Sequence, residues 1–404
     1  MGQKQGRERL LTQPTISMHD THSGPYDSSS KGHSRNSSAD GQQEFELDRN
    51  LPSDMLYSSD RNKVTLDDFE LLKLIGRGNF AKVMQVRKKD SGLVYAIKIL
   101  NKRKLEQADQ LEHIRTERAI LQYVEHPFLI KLVYAFQTME KLYMVMEFVN
   151  GGELFFHLKQ ERRFSESRVK FYAAELFLGI EHLHNQNIVF RDLKPENVLM
   201  DRNGHIMLTD FGLAKYLLKQ DRTHTFCGTP EYLAPEVLLQ RGHGKPVDWW
   251  SYGILIYEML VGIPPFYSDN VQDMYNKILH SDLLLSDQLM TQEVQDLLIR
   301  LLERDPRKRL GSGPKGTSEI KNHPFFRGID WQDVYDKKVV PSFRPKVRSE
   351  LDTCYFDEEF TRQDAIDSIG DPSYLGASAQ KAFEGFTFNS NGRHLRIDSG
   401  DRIL

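Results

Sequence analysis

The chain has 404 residues, 39% of them hydrophobic and 27% charged, with a formal net charge of −3. That suffices for one large or two smaller cores with tails, and it lacks the basic excess by which a nucleic-acid binder neutralises phosphates. Two cysteines, Cys227 and Cys354, cannot build a disulfide framework or a four-cysteine zinc site, and no apolar run reaches the roughly 20 residues that span a bilayer.

Residues 1–62 are rich in Ser, Asp, Gly, Gln and Asn, and "SGPYDSSSKGHSRNSSADGQQ" offers almost nothing to bury, so a disordered arm is expected there. Apolar patterning starts at "DDFELLKLIG". Three strands are predicted at "FELLKLIGRG", "AKVMQVRKK" and "LVYAIKIL", separated by a Gly-rich turn and by "DSG". "LEHIRTERAILQYV" places Leu111, Ile114, Ala119, Leu121 and Val124 at helical spacing. Two further strands fit "IKLVYAFQT" and "KLYMVMEFV", after which amphipathic runs such as "VKFYAAELFLGIEHLHN" and "DWWSYGILIYEMLVG" predict helices. The expectation is an α+β chain with a small β-rich lobe and a large helical lobe. Past Phe326 a Ser- and acid-rich stretch with sparse aromatics suits a segment that wraps a surface.

Five short stretches and one helix carry chemistry. In "GRGNFAKV", Gly76 and Gly78 let backbone amides approach phosphate oxygens; alone, such a fragment is most often a turn. Lys98 in "VYAIK" sits on the next strand, and Glu117 on the following helix can hold its ammonium. "FRDLKPEN" brings Asp192, Lys194 and Asn197, "TDFG" brings Asp210, and "APE" closes with Glu236. Taken in this order, the set resembles the eukaryotic protein kinases over 69–326. A bilobal kinase fold, with ATP and Mg²⁺ as cofactors, is what that resemblance implies. By it, Asp192 takes the proton of the attacking hydroxyl, Lys194 neutralises the γ-phosphate, and Asp210 and Asn197 hold magnesium. Val83, Ala96, Met146, Glu147, Val149 and Phe356 line the adenine pocket. "LKPEN" resembles the serine/threonine type. Phe190 stands where the pattern has histidine, in a position that mainly packs, and Ala81 replaces the third glycine of the loop.

"TFCGTPEYLAPEV" and the tail resemble the AGC branch, closest to the ribosomal protein S-six kinase subgroup, with protein kinase B and the serum-regulated kinases next. Pro230 leans toward the latter. In a 327–390 tail, ahead of a flexible 391–404 terminus, Phe383 and Phe386 of "FEGFTF" resemble a hydrophobic motif that docks in a groove on the small lobe. The resemblance implies phosphorylation of Thr225, Ser368 and Thr387 by upstream kinases, with His113, Arg191 and Lys215 cradling the Thr225 phosphate. It gives Glu153, Glu196 and Glu258 to arginines of Arg-rich protein substrates, since carboxylates grip guanidinium bidentately. "FELDR", Phe45 to Arg49, approximates a TOR signalling motif, broken at Arg49; docking to a TOR complex and plain filler both stay open. A cytoplasmic monomer is expected, with the nucleus also open to it and no nucleic-acid partner. The competing reading is a catalytically silent scaffold that binds nucleotide and partners, for which Phe190 and Ala81 speak.

Overall fold

The computed structural model describes residues 64–78, 80–108, 110–217, 222–367 and 380–390. The expected arm over 1–62, the Phe45–Arg49 stretch, Ser368 and the 391–404 terminus lie outside these residues.

The predicted strands form as β1 (Phe69–Arg77), β2 (Ala81–Lys88), β3 (Val94–Asn101), β4 (Leu132–Gln137) and β5 (Lys141–Glu147). Between β3 and β4 run a short helix, α1 (Lys102–Gln107), and α2 (Leu111–Tyr123). Strand alternation sorts the side chains onto two faces. Met84, Val86, Ile97, Ile99, Tyr143 and Val145 pack with Phe69, Tyr134 and Phe136 into one cluster. Leu100, Leu142 and Met144 face the other way and join the main core with Ile114, Ile120, Leu121 and Val124 around α2. Lys98 shares the parity of Leu100, so β3 directs it toward α2.

The large lobe holds α3 (Leu154–Glu161), α4 (Glu166–Asn185), β6 (Ile188–Val189), β7 (Val198–Met200), β8 (Ile206–Leu208), β9 (Lys215–Tyr216), α5 (Pro235–Leu238) and α6 (Pro246–Val261). Ser165 accepts from the Arg168 amide and starts α4, and Pro246 opens α6, where a missing N–H costs nothing. Every residue of α6 from Val247 to Leu260 is buried, which its nearly continuous apolar run requires.

The tail straps the two lobes together. On the large lobe the Tyr355 ring packs 5.2 Å from His157 and 5.4 Å from Phe156. Beside the inter-lobe connection, Asn150 Nδ2 donates to Ser349 O at 3.1 Å. On the small lobe Lys73 Nζ donates to Thr353 Oγ1 at 3.2 Å, and Lys141 pairs with Asp367 at 2.7 Å. Phe383 and Phe386 end buried against the small lobe, 1% and 3% exposed. The two-residue strand β10 (Phe388–Asn389) then pairs antiparallel with β4. The sheet is therefore six-stranded, in the order β1-β2-β3-β5-β4-β10, and every neighbouring pair is antiparallel. The groove for the two phenylalanines was expected; the added strand was not.

Candidate active site

The cleft between the lobes gathers the residues singled out from the sequence. Backbone register sets the roof: Lys98 lies opposite Val83 on β2 and Met144 on β5, while Ala96 lies opposite Gln85 and Met146. Lys98 Nζ donates to Glu117 Oε1 at 2.6 Å and stands 3.8 Å from Asp210 Oδ1. Burial disfavours its charge, but the carboxylates of Glu117 and then Asp210 more than offset that, so Lys98 is held protonated above its usual range. Lys98 in turn is the main cause that pulls Asp210 below the ordinary carboxylate range, against burial.

Phe190 is fully buried and meets the Phe211 ring edge-to-face, with centroids 5.2 Å apart. It packs, as expected. Asp248 holds the same turn from below: Oδ2 accepts from the Phe190 amide at 2.9 Å and Oδ1 from the Arg191 amide at 2.8 Å. Arg191 and Asp210 adopt φ of 68° and 58°, a left-handed backbone that non-glycine residues avoid. Asp192 is 6% exposed and sits in a closed network. Lys194 Nζ lies 3.0 Å from its Oδ2, Asn197 Nδ2 donates to that same oxygen at 2.9 Å, and the Thr229 hydroxyl donates to its Oδ1 at 3.0 Å. Lys194 also donates to Thr229 Oγ1 at 2.9 Å. The seat of Thr229 between Asp192 and Lys194 was missed in the sequence, though its place within "GTPEY" was a signal.

The pocket fits a magnesium nucleotide by its own geometry. Gly78 has no positive φ, and a Cβ there would meet nothing within 4 Å among the described residues, so packing does not demand the glycine. A Cβ on Gly212 would stand 3.2 Å from Asp210 Oδ1, crowding the carboxylate's open side. Glu117 Oε2 is buried without a hydrogen-bond partner among the described residues. Asp210 and Asn197 offer the hard oxygens magnesium prefers, and among the described residues no cluster of three or more His, Cys, Asp or Glu forms a cage of its own. The adenine end is half-buried Met146 and Glu147 with buried Val149. The Glu147 carboxylate accepts from the Lys131 amide at 2.9 Å, and Phe356 stacks on Phe148 at 5.7 Å and 14°.

The acids assigned to substrate differ in exposure. Glu153 is exposed, and burial of its surroundings followed by the like charge of Glu196 push its carboxyl up to about 7. Glu196 keeps a buried Oε2 with no hydrogen-bond partner among the described residues, and burial raises its carboxyl too. Glu258 is buried and already accepts from the Tyr232 hydroxyl, so it stands behind the other two. Glu236 binds Arg309 through both oxygens, at 2.7 and 2.9 Å, a buried structural pair.

Of the phosphate cradle, Arg191 and Lys215 converge on the Thr223 hydroxyl, at 3.5 and 3.3 Å, and exposed Thr225 stands 3.3 Å from it. His113 Nδ1 is bonded to Gln110 Oε1 at 2.8 Å. Thr387 is half-buried, and its carbonyl accepts from Arg118 Nη2 at 3.1 Å.

The fold and this cleft define an ATP-dependent phosphotransferase of the kinase class. The protein kinase domain family model matches residues 69–326, and the protein kinase C terminal domain model matches 347–388. The chain is 52% identical over 339 residues to protein kinase 2 of Dictyostelium discoideum, covering 83% of this chain and 70% of that protein. Against the RAC family serine/threonine-protein kinase homolog of the same organism it is 50% identical over 336 residues, covering 83% and 74%. Against the serine/threonine-protein kinase gad8 of Schizosaccharomyces pombe it is 49% identical over 351 residues, covering 86% and 61%. The chain belongs to the protein kinase family, as a serine/threonine kinase of the AGC branch.

Proposed function

We propose that this kinase transfers the γ-phosphate of ATP to serine or threonine in Arg-rich proteins and is switched on by phosphorylation. Most of the barrier to such a transfer is met by positioning and by charge neutralisation. Lys98, fixed by Glu117, would hold the α- and β-phosphates. Asp210 and Asn197 would hold magnesium, which when bound supplies neutralisation across the phosphate oxygens. Asp192 accepts the proton of the incoming hydroxyl, with one carboxylate oxygen steered by Asn197 and the other by Thr229. Lys194 lies 3.0 Å from that carboxylate, placed to meet charge on the transferred group. Phe190 keeps Phe211 in place beneath Asp210, so the residue that departs from the pattern serves the same structural end. That favours the working enzyme over the silent scaffold.

The preference for arginine rests on Glu196 beside Glu153: the buried Glu196 Oε2 has no hydrogen-bond partner among the described residues, and the attraction of Lys194 does not outweigh the burial that disfavours both charges. A guanidinium satisfies both acids at once. Within the branch, the RAC-type relatives and Pro230 support a place beside protein kinase B and the serum-regulated kinases more than beside the S-six kinases. Signalling of the TOR type is proposed from Phe45–Arg49 alone. Peptides with and without upstream arginines test the substrate reading: the Arg-free peptide should lose most turnover, and equal turnover of both refutes it. Unchanged capture of a TOR complex by the Phe45→Ala protein removes the docking proposal.

A further inference from the structure

The stretch from Phe148 to His157 carries the adenine end of the cleft and the substrate acid Glu153, and one turn of the tail lies along it. Phe356 stacks on Phe148 at the adenine end. The residue before it, Tyr355, lands instead on Gly152. A β-carbon on Gly152 would stand 2.9 Å from Tyr355 Cβ and 3.2 and 3.3 Å from two atoms of its ring. Gly152 also has a φ of 89°, a backbone that favours glycine, so the tail lies directly on the main chain. The Tyr355 ring then leans on α3, against Phe156 and His157.

This seat is fastened from both sides. Beneath it, the Gly151 amide donates to Met200 O at 2.9 Å and the Met200 amide to Gly152 O at 2.8 Å, while Glu153 bridges Leu199 on β7. His157 Nε2 lies 2.7 Å from Gly151 O; a carbonyl only accepts, so that nitrogen carries the proton. Above it, the Tyr355 hydroxyl accepts from the Lys346 amide at 2.8 Å, which closes the tail turn over the ring. Glu153 follows directly, with the like charge of Glu196 facing it. Two carboxylates repel, so an acid kept beside its twin needs a backbone that cannot swing away. Met200 supplies that hold from below, and Tyr355 from above.

We propose that Tyr355 is a positioning residue for substrate recognition: its ring presses the Gly152–Glu153 backbone onto β7 and keeps the Glu153 carboxylate beside Glu196 for an incoming guanidinium. Adjacent tail residues thus serve the two ends of the cleft, Phe356 the nucleotide and Tyr355 the peptide. The inference rests on the reading of Glu153 as an arginine-binding acid and deepens it by naming what holds that acid.

The test uses full-length enzyme as wild type, Tyr355→Ala and Tyr355→Phe, with two peptides alike except that alanines replace the upstream arginines of one. Among the described residues Tyr355 joins neither hydrophobic core, so Tyr355→Ala should melt close to wild type; a collapse of its melting point would mark a plain structural residue and overturn the proposal. Tyr355→Ala should raise the KM of the arginine peptide about fivefold or more. Its kcat/KM on the Arg-free peptide and its KM for ATP should stay within about twofold of wild type. Tyr355→Phe keeps the ring and loses only the bond to Lys346, and should keep the preference for arginine within about twofold. Equal losses on both peptides, a KM for ATP that rises with that of the peptide, an unchanged preference, or a Tyr355→Phe enzyme as impaired as Tyr355→Ala each overturns the proposal. If wild type turns over both peptides equally, the arginine reading itself falls, and the proposal with it.

Discussion

Phe190 is the residue by which this chain departs most visibly from its family pattern, and two substitutions there separate packing from chemistry. The side chain has no exposed surface, and its ring meets Phe211 edge-to-face at 5.2 Å. Phe190→Ala empties that space, which costs about 3–5 kcal/mol for a buried phenylalanine, including the roughly 0.5–1.5 kcal/mol of the aromatic pair. The amide bond to Asp248 survives, because it belongs to the backbone. At about 2–4 °C per kcal/mol for a domain of this size, the melting point should fall by roughly 6–20 °C. Phe190→His restores the usual letter but puts a polar ring in an apolar pocket, at a cost of about 1–3 kcal/mol. Thermal unfolding and turnover of an Arg-rich peptide, assayed well below the lower melting point, read both effects. The histidine variant should keep kcat within about threefold of wild type, because no proton passes through this position in the mechanism above. A tenfold or greater gain in kcat from Phe190→His would refute the reasoning, by showing that phenylalanine handicaps the chemistry.

Three more outcomes follow from the same geometry. Glu117→Gln removes the carboxylate that holds Lys98 at 2.6 Å in a site where Glu117 is 2% exposed. Losing one partner of a buried pair costs about 3–5 kcal/mol, and the KM for ATP should rise and kcat fall while the KM for peptide barely moves; an unchanged ATP dependence contradicts the role given to the pair. Asp367→Ala takes the carboxylate from buried Lys141 and from the Tyr143 hydroxyl, 2.7 and 3.0 Å away. At about 3 kcal/mol, hydrogen exchange in 358–367 should accelerate roughly a hundredfold, and wild-type protection there would show that the tail is held otherwise. Finally, Glu153 titrates near 7 because burial and the neighbouring Glu196 disfavour its charge. The ionised, arginine-binding form is therefore present above that pH and lost as pH falls through it. The peptide KM should rise roughly tenfold from pH 8 to pH 6, and Glu153→Gln should flatten the profile.

What could be read from the sequence were the features local patterns encode. Period-two runs announced β1 to β5, and helical spacing in "LEHIRTERAIL" announced α2 and the inward side that carries Glu117. Lys98, Asp192, Asn197 and Asp210 stood out because short motifs fix their residue types. The rest depends on contacts between distant stretches. Thr229 gains its place from a chain reversal that brings it over Asp192, 37 residues away. Asp367 looks like one more tail acid until it is laid on Lys141, 226 residues back. The φ of Arg191 could not be foreseen, because arginine does not signal a left-handed backbone and Asp248 supports it only through the fold; Asp210 is of a type that tolerates this region, but the type alone does not place it there. The strand at Phe388–Asn389 needs the open edge of β4, which no period in "FEGFTF" foretells.

The central claim is that the Asp192 network drives phosphoryl transfer in a cleft whose nucleotide grip is built separately from Lys98 and Asp210. Asp192→Asn tests it most directly, with ATP affinity and peptide phosphorylation measured on the same protein. ATP should bind within about threefold of wild type while transfer falls by roughly a hundredfold or more, within the roughly 10²–10⁴-fold that a positioned proton acceptor contributes. Transfer at the wild-type rate, or a wild-type enzyme that moves no phosphate in any phosphorylation state, would contradict the account.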